Sequence, residues 1–161
     1  MKYTATISWS RSPNEVFTDG KYSRVHQWEF DGGMQFSASA SPHVVPVPLS
    51  DPALIDPEEA FIASLSSCHM LYFLSFCARQ KFIVTHYLDM AEGIMGKGED
   101  GKIQMLNVTL RPLVRFEGER KPSEENLLEL HHQAHESCFI ANSVKTKINV
   151  EQQRADVNQE Q

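Results

Sequence analysis

Cys68 and Cys138 are the two residues of this chain whose surroundings point to chemistry rather than packing. Cys68 stands in Ser66-Ser67-Cys68-His69, inside an otherwise apolar run, and Cys138 follows His135, Glu136 and Ser137. A buried cysteine ordinarily acts as a small hydrophobe, which is how Cys77 reads. At about 100° per residue, Cys77 points roughly opposite to Cys68 on a helix, so those two do not share a site. Cys68 and Cys138 can meet only through tertiary packing. If they do, one thiol can attack a substrate and the other can resolve the product as a disulfide. The thiolate is the nucleophile, and a free thiol of pKa about 8.5 is only a few per cent ionised at neutral pH. A reactive Cys68 therefore needs a cation, and Arg24 is the candidate. Alternation over residues 22–30 aligns Tyr22, Arg24, His26, Trp28 and Phe30 on one strand face, so the guanidinium either snorkels to water or points into a pocket to hold an anion.

Glu58 precedes Cys68 by ten residues, roughly 15 Å of helical rise, so it cannot touch that thiol in its own chain. It serves the helix dipole, or it orients Arg24 at the thiol. The latter needs a second subunit and makes the site an interface feature of a two-fold dimer. His131, His135 and Cys138 recur at i, i+4 and i+7, an acceptable start for zinc with His26, His43 or His69 as a fourth ligand. Helical histidines packed beside strands are the ordinary alternative.

These residues need elements to position them. Residues 56–81 read as one long helix, with Asp56 as N-cap, Pro57 at the first position and Glu59 completing a capping box. Apolar nearly all round, it should be buried. Before it, residues 3–10 alternate as a strand with one buried face, 22–30 form a second strand, and 34–41 a third. Residues 42–55, with four prolines, connect irregularly to the helix. After it, residues 82–96 and 103–116 form a hairpin, with Pro112 marking an edge or bulge. Ser123 caps a second helix carrying Leu127, His131, Ala134, His135 and Cys138 on one face, and residues 143–150 end in a strand. The order predicts one α+β domain over 1–150, with antiparallel meanders packed on two helices. The polar stretch 151–161 should fray.

Composition narrows the function classes. A net charge of −6 and a pI near 5.6 argue against a nucleic-acid binder. The N-terminus shows no cationic stretch followed by an apolar one, so no secretory signal is expected. Residues 60–78 are long enough to raise a transmembrane reading, but four serines, two cysteines and a histidine within them favour a buried helix and no membrane partner. Three cysteines do not make a disulfide scaffold, and a cytoplasmic protein with reduced or redox-active thiols fits better.

The motif DPEEAFIASLSSCHM, followed much later by AHESCFIANSVKTKINV, resembles the OsmC/Ohr family (osmotically induced protein C and organic hydroperoxide resistance protein). The resemblance runs from the first strands to the terminal SVKTKINV. It implies an OsmC-like α+β fold, with antiparallel sheets wrapped around two long helices in an intertwined homodimer. It further implies a thiol-dependent peroxidase reducing organic hydroperoxides, with no cofactor beyond an external dithiol reductant and with active sites at the dimer interface. By position, Cys68 matches the peroxidatic cysteine, Cys138 the resolving one and Glu58 the acidic partner. Arg24 takes the arginine's place, with Arg11 in the preceding loop as the alternative. Two positions depart from the family pattern: His69 follows Cys68 where an apolar residue is usual, and Phe139 replaces the proline common after the second cysteine. Two other readings stay open, a non-enzymatic stress or ligand-binding protein with this fold, and a zinc module built on His131, His135 and Cys138.

Overall fold

The computed structural model describes residues 1–153, which divide into two compact units, Met1–Ala60 and the described residues from Phe61 on. The fold class is the expected one: mixed α+β, with two helices and several mainly antiparallel sheets.

The first unit carries a three-stranded antiparallel meander of β1 (Ala5–Ser8), β2 (His26–Phe30) and β3 (Gln35–Ala38). Ile7 faces Trp28, which faces Phe36 across the next pair. β1 is the edge strand and all four of its residues are exposed, Ile7 by 56%, so the buried face expected for residues 3–10 is absent. β2 keeps the expected alternation, with His26, Trp28 and Phe30 half-buried and Gln27 and Glu29 exposed. It begins two residues after Arg24, however, so Arg24 belongs to the preceding loop and not to a strand face.

Helix α1 spans Pro57–Arg79. Its start is the expected box: Glu59 N–H donates to Asp56 Oδ1 at 2.8 Å, and Asp56 N–H donates to Glu59 Oε2 at 3.2 Å. Such a cap contributes about 1 kcal/mol. The helix is not buried all round. Leu65, His69, Phe73 and Cys77, spaced by four, form one fully buried stripe, while Leu71 is 61% exposed. By length and composition α1 could cross a membrane, and among the described residues it is the one helix of which this holds.

In the second unit, each arm of the expected long hairpin is broken in two. β4 (Ile83–Asp89) pairs with β7 (Pro112–Glu117), and β5 (Glu92–Lys97) pairs with β6 (Ile103–Leu110). The break falls where Pro112 lacks a backbone donor. Asp89 holds it, its Oδ1 accepting the Arg111 N–H at 2.6 Å and its Oδ2 the Ser66 hydroxyl of α1. Gly93 lets β5 approach α1 closely, since a Cβ there would lie 2.6 Å from Ile62 Cδ1. β8 (Lys147–Val150) pairs with β6 in parallel, an exception to the antiparallel expectation. Glu151 and Gln153 extend that pairing by donating to Leu110 and Pro112 carbonyls, so the fraying expected from residue 151 does not begin there. The rest of that stretch, from 154 on, lies outside the described residues.

Helix α2 (Glu124–Ser137) starts with a capping box between Ser123 and Asn126. Its Leu130 and Ala134 close on Phe73, Cys77 and Phe82 to form one core, and a second gathers Leu65, Val108 and Leu110. Each such large apolar side chain contributes roughly 1.5–3 kcal/mol by leaving water.

Candidate functional site: a thiol pair beside a buried histidine pair

Cys68 sits at mid-length in α1, half-buried, because its helical angle places it beside the fully buried stripe rather than in it. Cys138 is the residue at which α2 ends, in extended conformation, with its N–H on the His135 carbonyl at 3.2 Å. Its Sγ accepts the Ala141 N–H at 3.4 Å. Burial pushes the Cys138 thiol up to about 11, and the Cys68 thiol raises it further as a side-chain hydrogen-bond partner. The two thiols that sequence spacing left apart are therefore neighbours, both reduced. Cys77 is elsewhere, fully buried in the Phe73–Leu130 core, with its thiol raised to about 11 by burial alone. Next to the thiols, Tyr72 and Phe139 meet edge to face with ring centroids 5.5 Å apart.

One residue on from Cys68, His69 turns into the interior and meets His131 of α2. His69 Nε2 lies 3.0 Å from His131 Nδ1, and the residues are 1% and 3% exposed. His131 also stacks on Phe73. Burial lowers His69 to about 4, helped by His135, and lowers His131 to about 3, helped by His69. Both imidazoles are neutral at pH 7. Their outer nitrogens, His69 Nδ1 and His131 Nε2, are buried without a hydrogen-bond partner among the described residues. This pairing was not anticipated, although the spacing of four through Leu65, His69, Phe73 and Cys77 already put His69 on the apolar stripe.

The pairing also bears on the zinc reading. His131 and Cys138 are turned to different partners, and among the described residues no three His, Cys, Asp or Glu are arranged to hold a metal.

Arg24 and Glu58 belong to the other unit. The Arg24 guanidinium folds back on its own loop, donating to the Gly20 carbonyl at 3.0 Å and to the Tyr22 carbonyl, with Cζ 3.6 Å above the Tyr22 ring. It lines an apolar cleft of about 500 Å³ with Ile7, Trp9, Phe17, Tyr22 and His26. His26 is oriented by two hydrogen bonds: its Nε2 accepts from Trp28 Nε1 and its Nδ1 donates to the Arg24 carbonyl, both at 2.8 Å. Arg11 is exposed and bonded to the Ser12, Pro13 and Glu15 carbonyls. Glu58 has its Oε2 buried and without a hydrogen-bond partner among the described residues, a carboxylate oxygen suited to a cation.

Comparison with known proteins follows the same lines. The family model described as OsmC-like protein matches residues 50–153. A solved OsmC-like protein of unknown function from Vibrio cholerae is 55% identical over 95% of this chain and 99% of its own, with a TM-score of 0.94. An organic hydroperoxide resistance protein from Elizabethkingia anophelis is 18% identical, covering 97% and 96% of the two chains with a TM-score of 0.69. Another, from Bacillus subtilis, is 18% identical over 96% and 98%, with a TM-score of 0.60. The last two likenesses concern the fold. Among curated proteins none matches this chain.

Proposed function

The chain belongs to the OsmC-like protein family, and from that premise we propose that it is a thiol-dependent peroxidase reducing organic hydroperoxides. The observation that carries this reading is that the Cys68 thiol neighbours Cys138 closely enough to raise its thiol. The Cys68 thiolate attacks the outer peroxide oxygen, the O–O bond breaks, and the alkoxide takes up a proton and leaves as the alcohol. The sulfenic acid left on Cys68 condenses with Cys138, releasing water and forming the disulfide. An external dithiol then reduces the bridge. The half-buried thiol is the one placed to meet substrate and the fully buried one is placed to wait, which supports the order Cys68 then Cys138.

Arg24 is the cation assigned to the Cys68 thiolate, held by Glu58, whose unsatisfied oxygen fits a guanidinium supplied within a homodimer. The largely uncovered apolar surface of α1 supports such self-association in a cytoplasmic setting. Solved relatives of the same fold described as organic hydroperoxide resistance proteins support the substrate class. Stopped-flow reduction of cumene and tert-butyl hydroperoxides tests the proposal: the parent turns over and Cys68→Ser does not. Equal rates in the two would remove Cys68 from the mechanism.

One observation favours a second reading, a non-enzymatic ligand-binding protein: the aromatic cleft around Trp9, Phe17 and Tyr22 is roomy enough for a small organic molecule. Thiol titration separates the two, because a binding protein keeps its three free cysteines after one equivalent of hydroperoxide.

A further inference from the structure

A hydroperoxide that reacts at Cys68 must bring its outer oxygen to about 3–3.5 Å from the sulfur. Its organic group then falls within reach of the side chains that border the thiol. That border is lopsided. Toward the N-terminus α1 offers small hydroxyl side chains: Ser67 is exposed, and Ser64, one turn back, donates to the Phe61 carbonyl at 2.7 Å. Toward the C-terminus it offers Leu71, 61% exposed, and Tyr72, half-buried. These stand at i+3 and i+4 from Cys68, about 5–6 Å away between Cβ atoms.

The apolar side is completed from the end of α2. Phe139 directly follows Cys138, whose thiol neighbours that of Cys68. Its ring meets Tyr72 edge to face, with centroids 5.5 Å apart and planes at 90°. The chain bond to Cys138 and the ring contact with Tyr72 thus place Phe139 beside Cys68 by two separate routes. Phe139 is nevertheless 63% exposed.

One exposed phenylalanine is ordinary on a protein surface. This one is held in position by groups other than its own ring. Ile140 packs against the Leu65, Val108 and Leu110 core. The Asn142 N–H donates to the Cys138 carbonyl at 3.0 Å, and the Ser143 hydroxyl donates to the Phe139 carbonyl at 2.7 Å. The turn is therefore fixed by its backbone and by the neighbouring side chains, and the exposed ring is carried on it to the mouth of the thiol pair.

We propose that Phe139 is a specificity-determining residue, forming with Tyr72 an aromatic subsite beside Cys68 that favours hydroperoxides bearing an aryl group over saturated ones of similar size. The proposal rests on the reading of Cys68 as the peroxide-attacking thiol and deepens it by naming the substrate class. Two rings at right angles let an incoming third ring stack on one and meet the edge of the other. Aromatic pairs gain about two- to tenfold beyond the area they bury, whereas a saturated group gains the area alone. With the O–O bond over the sulfur, the aryl group lies along α1 toward Tyr72 and away from Ser64 and Ser67.

The test has an arm that needs no peroxide. N-phenylmaleimide and N-cyclohexylmaleimide carry the same electrophile on rings of similar size, one aromatic and one saturated. The Cys68 thiolate adds to the C=C bond and the adjacent carbon takes up a proton, and mass spectrometry of the Cys68 peptide gives each rate. In the parent protein, which raises no question of folding, the phenyl-to-cyclohexyl ratio should exceed that of glutathione by at least threefold. Phe139→Ala should bring it close to the glutathione value, and Phe139→Tyr, which keeps the ring, should retain it. The ratio of kcat/KM for cumene hydroperoxide to that for the saturated p-menthane hydroperoxide should fall at least threefold in Phe139→Ala. A parent labelling ratio equal to that of glutathione, or either ratio unmoved in Phe139→Ala, overturns the subsite, and turnover that still depends on Cys68 then leaves the peroxidase reading intact. If labelling behaves as expected but neither hydroperoxide is reduced, the peroxidase reading falls and the aromatic subsite stands.

Discussion

The imidazole of His131 stacks on the ring of Phe73 with centroids 4.3 Å apart and planes 17° from parallel, while its Nδ1 meets His69. The pair therefore lies within the apolar core, and both histidines have pKa values below the value near 6.5 of an unfolded chain. For a depressed group, stability is complete above the unfolded pKa and is lost as pH falls toward the folded one. Urea unfolding should show constant stability contributed by the pair above pH 6.5, then a loss on the order of 2–5 kcal/mol on descending through about 4. The His69→Gln/His131→Gln double variant should have a flatter curve in that window. Parallel curves would place the titration elsewhere.

Replacing Arg24 with Met should slow the attack of Cys68 on hydroperoxide by about two orders of magnitude, the scale of losing one preorganised charged donor. Arg11→Met should leave that rate unchanged. Because Arg24 also ties the Gly20 and Tyr22 carbonyls, circular dichroism is needed to show that its variant is folded. Should Arg11→Met be the slow variant, the two assignments exchange.

Asp89→Ala removes the acceptor of both the Arg111 N–H and the Ser66 hydroxyl. Stranding two partly buried donors should cost about 2–3 kcal/mol in denaturant unfolding. Asp89→Asn should recover part of that loss, since its carbonyl can still accept the Arg111 N–H. An unchanged midpoint in the Ala variant would show that the break before Pro112 is held by other contacts.

Sedimentation should give twice the chain mass of 18.3 kDa, because so apolar a helix with one buried stripe needs a partner surface. Leu71→Glu, placed on the exposed side of α1, should shift the distribution toward monomer. A parent protein that runs as a monomer at every concentration would remove the shared active site from the mechanism.

Local rules made several of these features readable in advance. The capping box at Asp56 and the start of α2 at Ser123 depend on side chains within three residues of the backbone they satisfy, and so could be read directly. Alternation revealed the half-buried face of β2, and the motifs around Cys68 and Cys138 carried the family. Other outcomes depended on partners distant along the chain. The exposure of β1, the splitting of the hairpin at Arg111 and the parallel seat of β8 are settled by which neighbour each strand meets. Arg24 shows the same limit, since alternation assumes a strand that the chain begins only at His26.

The amino-acid order by itself determined that one long helix would carry Cys68 and that a second, capped by Ser123, would carry His131 and His135 and deliver the chain to Cys138. Only the tertiary structure decided that the two thiols are neighbours and that His69 finds His131, 62 positions along the chain. The reason is physical: periodicity sets the direction of a side chain about its own axis, whereas the distance between two axes depends on how both cores pack.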